Sequence, residues 1–460
     1  MTTIRLLALA TLTAIQLPIP SADAQELTLE FQLLRMKAKV ADFLEMRLLT
    51  GGDQSTEAEE KLPGLISART IESVATHSFQ CRGNNRSESR SSPKDLEEEG
   101  GEKIPEGFYF EVEPVIGSDG TIHLNYYATH AIDAPRKPIH VLRIQSGVNL
   151  RPGRINFLQR WSSPQGELVL IVKPTVPDAA AGDPAPGSKF RTIHAMAALY
   201  KVADIAARDA LVELARTNPD AAEAAIAKDG TQVDAIGTTT ISGLRQEVRS
   251  YTPSFEEAEG MVYEDGLNLQ FELTAGPAGQ RIDTIVDLQH FSPTGKRARA
   301  EGGDRTDERQ IFHGAAKREL TAGALCLFPC EVELVPGGAG RKPAPYILAI
   351  RCRCYGEFGP PPAPRKPIAA GEPAAMVNRT YAVPPSFLRR LQEKNLKPPA
   401  AQAGLIRRAT AKEVLEASGI DFPGRTRAVF VAQMSELVLY HNRAAHQRLE
   451  ELLANHEGDQ

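Results

Sequence analysis

Gly107-Phe-Tyr-Phe-Glu-Val-Glu-Pro-Val-Ile116, the turn Ser118-Asp119-Gly120 and the return Thr121-Ile-His-Leu-Asn-Tyr126 together decide the fold. Phe108, Phe110 and Val112 alternate with Tyr109, Glu111 and Glu113, so an extended chain here has one apolar face and one wet face. The Asp119-Gly120 pair tolerates positive φ in a tight turn. On the return, Ile122, Leu124 and Tyr126 alternate with His123 and Asn125. The stretch is predicted to be a β-hairpin.

The same pattern comes back later in the chain. Leu267, Leu269, Phe271 and Leu273 alternate before Pro277-Ala278-Gly279, and Ile282 to Leu288 makes the return. Gly107, Gly117 and Gly120 repeat in the same spacing as Gly266, Gly276 and Gly279, and His130 matches His290 with one residue inserted. Leu150, Gly153, Ile155 and Phe157 match Leu320, Gly323, Leu325 and Leu327, and Leu168–Val172 matches Tyr346–Ile350. Upstream, Lys39-Val40-Ala41-Asp42 recurs as Lys201-Val202-Ala203-Asp204, each after an apolar run and before a helical pattern. Colinear matches of this kind predict an internal duplication. The fold class expected is α+β: two β-rich modules, each with a leading strand and helix, over residues 25–173 and 189–357.

Two stretches rich in Pro, Ala and Gly read as spacers, residues 174–188 and 358–376. Residues 82–103 carry one apolar side chain before Lys103, Leu96, and read as a loop. The last block, residues 377–456, is a small α/β wedge. Thr410-Ala-Lys-Glu413 is a capping box, Gly419 stops that helix, and Arg427–Met434 and Glu436–Tyr440 read as paired strands. Asn442 caps a final helix that places Ala445, Leu449, Leu452 and Leu453 on one face. With an earlier strand near Thr380–Val383 the order is βαββα.

The 460 residues are ample for about three domains. A net charge of −5 supplies no basic field, which excludes a protein that lives by binding nucleic acid. Met1–Arg5, the apolar run Leu6–Leu17 and the small residues up to Ala24 read as an export signal over residues 1–24, cleaved between Ala24 and Gln25. No later run is long enough for a transmembrane helix. The expected location is outside the cytoplasm, in the periplasm or at the outer membrane.

Thr410-Ala-Lys-Glu-Val-Leu-Glu-Ala-Ser-Gly-Ile-Asp-Phe-Pro423, with Leu437-Val-Leu439, Asn442 and the final helix, resembles modules of the bacterial secretin family. Tyr381-Ala-Val-Pro-Pro-Ser-Phe-Leu388 fits the same divergent group. The stretch Gly107–Ile116 with Asp119–Leu124, and Glu167-Leu-Val-Leu-Ile-Val-Lys-Pro174, are similar to the hairpin and closing strand of the secretin β-domain. Leu158–Gly166 departs from the stretch that channel-forming members carry there, and the wedge follows the β-rich modules instead of preceding them. The resemblance therefore implies a divergent relative without the channel signature. Its partners would be envelope proteins of a secretion or pilus-type complex, or further copies of the chain as a homo-oligomer.

The sequence assigns no catalytic, cofactor-binding or metal-binding residue and no small-molecule substrate. Cys326 and Cys330 lie on one expected strand and Cys352 and Cys354 on one face of another, so these four are candidates for disulfides in an oxidising compartment. Buried thiols, and less readily a metal site, are the alternatives, and Cys81 is left over. His77 and Cys81 are four apart and would adjoin on a helix, yet their surroundings read as strand. His441 and His446 read as surface positions. The function expected is a non-enzymatic structural or assembly protein. An exported module that binds peptide or glycan is the alternative, and an exported hydrolase comes third.

Overall fold

The computed structural model describes residues 26–97, 103–117, 120–132, 140–163, 165–177, 191–256, 261–299, 305–335, 340–356, 376–396, 409–424, 426–433 and 435–458. The signal segment, the Ala24–Gln25 junction, most of both spacers and Ser118-Asp119 lie outside these residues.

The first block runs β1 (Glu26–Met36), α1 (Ala38–Thr50), α2 (Gly52–Ser67), β2 (Ile71–Arg82), β3 (Ser87–Arg90), β4 (Asp95–Glu97), β5 (Lys103–Pro105), β6 (Gly107–Ile116), β7 (Ile122–Ile132), β8 (His140–Leu150), β9 (Asn156–Ser163) and β10 (Gly166–Thr175). The second runs β11 (Arg191–Lys201), α3 (Ile205–Thr217), α4 (Pro219–Asp229), β12 (Thr231–Thr240), β13 (Arg245–Glu256), β14 (Met261–Ala275), β15 (Arg281–Arg299), β16 (Arg305–Thr321), β17 (Leu325–Val335) and β18 (Lys342–Gly356). The third is β19 (Met376–Ala382), α5 (Phe387–Asn395), α6 (Ala411–Ala417), β20 (Arg427–Val431), β21 (Glu436–Asn442) and α7 (Arg443–Gly458).

The chain is strand-rich mixed α/β, dominated by one antiparallel sheet of 16 strands in the order β2-β1-β10-β9-β12-β11-β18-β17-β16-β15-β14-β13-β8-β7-β6-β3. Strands β11–β18 stand as a continuous run between β9 and β8 of the first block. The sheet comes close to closing as a barrel, because His77 on β2 hydrogen-bonds Ser89 on β3 (Nε2 to Oγ 2.8 Å) and stacks parallel to Phe110 on β6. The quoted stretch is the β6–β7 hairpin, in register from Gly107 opposite Ala131 to Ile116 opposite Ile122. Phe108, Phe110, Val112, Ile122, Leu124 and Tyr126 are buried in one core that also takes Leu27–Leu33, Leu267–Leu273 and Leu348–Cys352. Alternation thus decides which face turns inward, and both blocks share that interior.

Two further cores lie on the outside of the sheet. Beneath α1 and α2, Leu44, Leu48 and Leu62 pack on Phe157, Val169 and Ile171. Beneath α3 and α4, Leu211, Ala222 and Ile226 pack on Leu327, Ile347 and Ala349. The repeated glycines occupy like positions. Gly120 N–H donates to Gly117 at 3.0 Å and Gly279 N–H to Gly276 at 2.9 Å. Gly153 and Gly323 have φ of 67° and 85°, a region that favours glycine. His130 faces Phe108 across β6–β7, and His290 faces Leu267 across β14–β15.

One sequence match does not correspond to like positions. Lys39–Asp42 lies inside α1, whereas Lys201–Asp204 ends β11 and caps α3, with Asp204 Oδ1 accepting from Ala207 N–H at 2.8 Å. The long helical pattern after Asp204 is two helices, because Pro219 begins a new one and the Asn218 side chain caps it. Nor is the polar stretch 82–103 all loop. Ser87–Arg90 pairs with β6, and Leu96 is buried against Ile104, Val141 and Tyr251.

The wedge has its own sheet, β19-β21-β20, and its own core around Phe387, Leu415, Leu437, Leu439 and Leu449. The capping box at Thr410 and Glu413 is complete, and Asn442 Oδ1 accepts from Ala445 N–H at 3.0 Å. α5 is an added helix, so the order is βααββα. Pro384-Pro385 hid it, since proline reads as a break but sits comfortably just before a helix start. Ser386 Oγ donates to Glu319 at 2.7 Å, and Arg389 Nε bonds both oxygens of Asp283 at 3.1 and 2.8 Å. These contacts fix the wedge against β15 and β16.

Candidate functional site

The two blocks meet where β9 pairs with β12 over three residue pairs, Trp161–Ile236, Arg160–Gly237 and Gln159–Thr238. Arg160 projects outward here, under the start of α1. Its guanidinium reaches Glu167 at 2.8 Å, Asp42 at 2.6 Å and Glu45 at 3.1 Å. Burial opposes its charge, but the hydrogen bonds and charges of Glu167, Asp42 and Glu45 outweigh that and hold its pKa above the ordinary arginine value. Burial likewise raises the Glu45 carboxyl, yet His194 and Arg160 overcome it and bring the pKa down to about 2. His194 on β11 places Nε2 2.7 Å from Glu45. Asp234 on β12 behaves oppositely: burial pushes it up to about 7, helped by the Glu167 charge and only partly opposed by the Ala235 N–H.

Between the helix pairs this cluster borders a cavity of about 390 Å³. Met196, Ala198, Ala235, Gly237, Leu325 and Ala349 give it an apolar floor. Asp42, Arg160, Glu167, Glu223 and Arg351 carry its charge. Small strand residues leave the space: a Cβ added to Gly237 would come within 2.7 Å of Met196 Sδ. Sequence reading missed this site because it joins residues from α1, α4 and six strands, none forming a local motif. The one legible signal was the run of small residues on strands that otherwise carry large ones.

A second concavity, about 500 Å³, lies between wedge and barrel. β20 forms one wall and is the end strand of its sheet, so half its backbone groups point away from β21. Val429 on this strand is 51% exposed. Leu388, Val414, Phe430 and Ile285 line the apolar part, with Glu272 and Gln392 at the polar side.

The residues named from sequence are scattered. His77 and Cys81 both lie on β2, and a strand sets residues four apart at about 13 Å, which separates any base from the thiol. All five cysteines are free thiols. Cys326 on β17 faces Ile350, while Cys352 and Cys354 on β18 face Ala195 and Ile193, so no two cysteines stand directly opposite each other. Cys330 is fully buried. Contrary to the surface reading, His441 is buried, with Nε2 2.5 Å from the Asp421 carbonyl, and His446 is buried against Tyr381 Oη at 2.8 Å. Their even spacing around a helix start gave no sign of this, because the wedge core closes over them. His130 and His290 share a hairpin register, opposite Phe108 and Leu267, but the expected common strand end does not hold, since His130 lies near the end of β7 and His290 in the middle of the longer β15; both are held near pKa 4 chiefly by burial. Among the described residues no group of three or more His, Cys, Asp or Glu side chains is placed to hold a metal ion. No helix there is long and apolar enough to cross a membrane.

No family model matches the chain, and no curated protein matches it. Among solved structures, a type II secretin, GspD from enteropathogenic Escherichia coli, aligns with 33% of this chain at 10% identity and a TM-score of 0.19. The alignment spans 65% of that secretin chain.

Proposed function

We propose that this chain is a non-enzymatic protein of the bacterial envelope that acts through protein–protein contacts, assembling or supporting a secretion or pilus-type complex. The observation that carries this reading is the free edge of β20 beside its apolar groove. An end strand with an exposed valine can accept an extended segment of another chain, backbone to backbone, while the groove receives alternate side chains. The secretin-like sequence of Thr410–Pro423 and Tyr381–Leu388 supports the envelope assignment, as does the export-type N-terminus. The two-module reading is supported by the matched glycine turns, the paired outer cores and the shared hairpin register of His130 and His290. Away from the patches that α1–α4 cover, the outward side chains of the described strands are largely polar, as at Glu111, Glu113, Gln270 and Glu272, the reverse of a strand barrel that faces lipid. We therefore place the chain beside a membrane complex and not as its channel.

The test is size-exclusion chromatography with light scattering and in-cell crosslinking of the full chain. An assembly protein gives a higher-order species or envelope crosslinks, and Val429→Lys, which sets a charge on the strand edge, weakens them while leaving the melting temperature unchanged. A strict monomer without envelope crosslinks overturns the proposal. The second reading, an exported binding module, is favoured by the cavity at the block junction, and the inference below bears on it.

A further inference from the structure

The cavity between the helix pairs has a charge layout that selects one class of ligand. Its two guanidiniums are already engaged: Arg160 by Glu167, Asp42 and Glu45, and Arg351 by Glu223. An anionic ligand would have to displace one of these carboxylates. The carboxylates are not used up in the same way. Asp42 meets Arg160 through Oδ1 and Glu223 meets Arg351 through Oε2, and the second oxygen of each has no partner among the described residues. Both stand at the mouth, their side chains 64% and 50% exposed, whereas those of Arg160 and Glu167 are 9% and 11% exposed. Three lining carboxylates against two guanidiniums leave the cavity negative.

On the inner side lies His194, 3% exposed, with Nε2 2.7 Å from Glu45. Tyr200, Gln232 and Ser162 continue the polar side. Opposite them lies the apolar floor of Met196, Ala198, Ala235 and Ala349. Carboxylate oxygens beside an apolar floor complement a cation on a hydrocarbon chain.

We propose that this cavity binds a primary ammonium group carried on an unbranched alkyl chain, as in a free alkylamine or a lysine side chain of a partner. The ammonium donates to Asp42 and Glu223 at the mouth, and its methylenes lie on Met196, Ala198, Ala235 and Ala349. The inference does not depend on the assembly reading, since it concerns a different surface from β20.

The experiment is a thermal-shift and calorimetric titration of the full chain with hexylamine, hexanoate, hexanol and Nα-acetyl-lysine N-methylamide. Hexylamine is expected to raise the melting temperature saturably, and hexanoate and hexanol are not. Equal or tighter binding of the lysine amide assigns the site to a partner's lysine, and binding of hexylamine alone assigns it to a free amine. Asp42→Asn with Glu223→Gln, both largely exposed positions, is expected to weaken binding at least about tenfold, the loss of one charge-assisted hydrogen bond. The unliganded melting temperature of that variant checks that it folds. Ala235→Leu, which fills the floor, is expected to abolish binding. A response to hexanol equal to that of hexylamine, no saturable response to either amine, or binding that survives the double substitution overturns the proposal.

Discussion

Replacing Arg389 by alanine is expected to release the wedge from the barrel. Arg389 holds Asp283 through Nε at 2.8 and 3.1 Å, and the two side chains are only 13% and 7% exposed. Removing one partner of a buried pair strands the other charge, which costs about 3–5 kcal/mol. Some of that cost is recovered if the wedge swings away and Asp283 regains water, so the loss should appear as undocking before global unfolding. The other polar contacts across this interface are Ser386 to Glu319 at 2.7 Å, Ser242 Oγ to the Ala432 carbonyl at 2.8 Å, Ser435 Oγ to the Ala275 carbonyl and the exposed pair Lys317–Glu393, each worth about 1 kcal/mol or less, so no single one replaces it. The assay is a double-mutant cycle of Arg389→Ala and Asp283→Ala in the full chain, read by urea unfolding, with limited proteolysis to report the wedge separately. A coupling energy of about 2–3 kcal/mol and earlier release of a C-terminal fragment are expected. Coupling below about 0.5 kcal/mol, with an unchanged cleavage pattern, would refute the reasoning.

Acid should destabilise the barrel through His130 and His290. Both are held neutral at about pKa 4 against an ordinary 6.5, so the unfolded chain binds their protons first. Stability is full above pH 6.5 and falls toward pH 4, by roughly 2–3 kcal/mol per histidine at pH 4.5; His130→Leu should flatten the urea-midpoint profile in that window. Asp234 has the opposite sign, because its raised pKa of about 7 makes the folded state the better proton binder. Its contribution is present below pH 4 and lost as pH rises through 7, so Asp234→Asn should stabilise by roughly 2–4 kcal/mol at pH 8 and little at pH 4, as checked by unfolding at both. The thiols should resist alkylation in the folded protein, since burial pushes Cys81 to about 11 and Cys330 and Cys354 to about 12. Rapid labelling at pH 8 without denaturant would count against that. If Cys326 does bridge to Cys352 on export, intact mass with and without reductant shows it; β17 and β18 must then shift, because this diagonal pair lies about 7–8 Å apart.

The sequence by itself determined the local units. Period-2 alternation at Phe108–Val112 and Leu267–Leu273 specified strands and the face each would bury, Asn442 marked a helix start, and Thr410–Glu413 carried its own cap. Each of these is decided by neighbours in the chain, through backbone torsion and side-chain direction. The tertiary structure alone decided that β11–β18 run between β9 and β8, that one interior serves both blocks, and that Arg160, Glu45, Glu167 and His194 converge. Pairing partners far apart in the chain are chosen by which arrangement buries both apolar faces at once, and alternation is the same whichever partner is taken. The cavity follows from that choice: where two helix pairs stop short of each other, small residues on β11, β12 and β18 leave space beside charges brought from four distant segments.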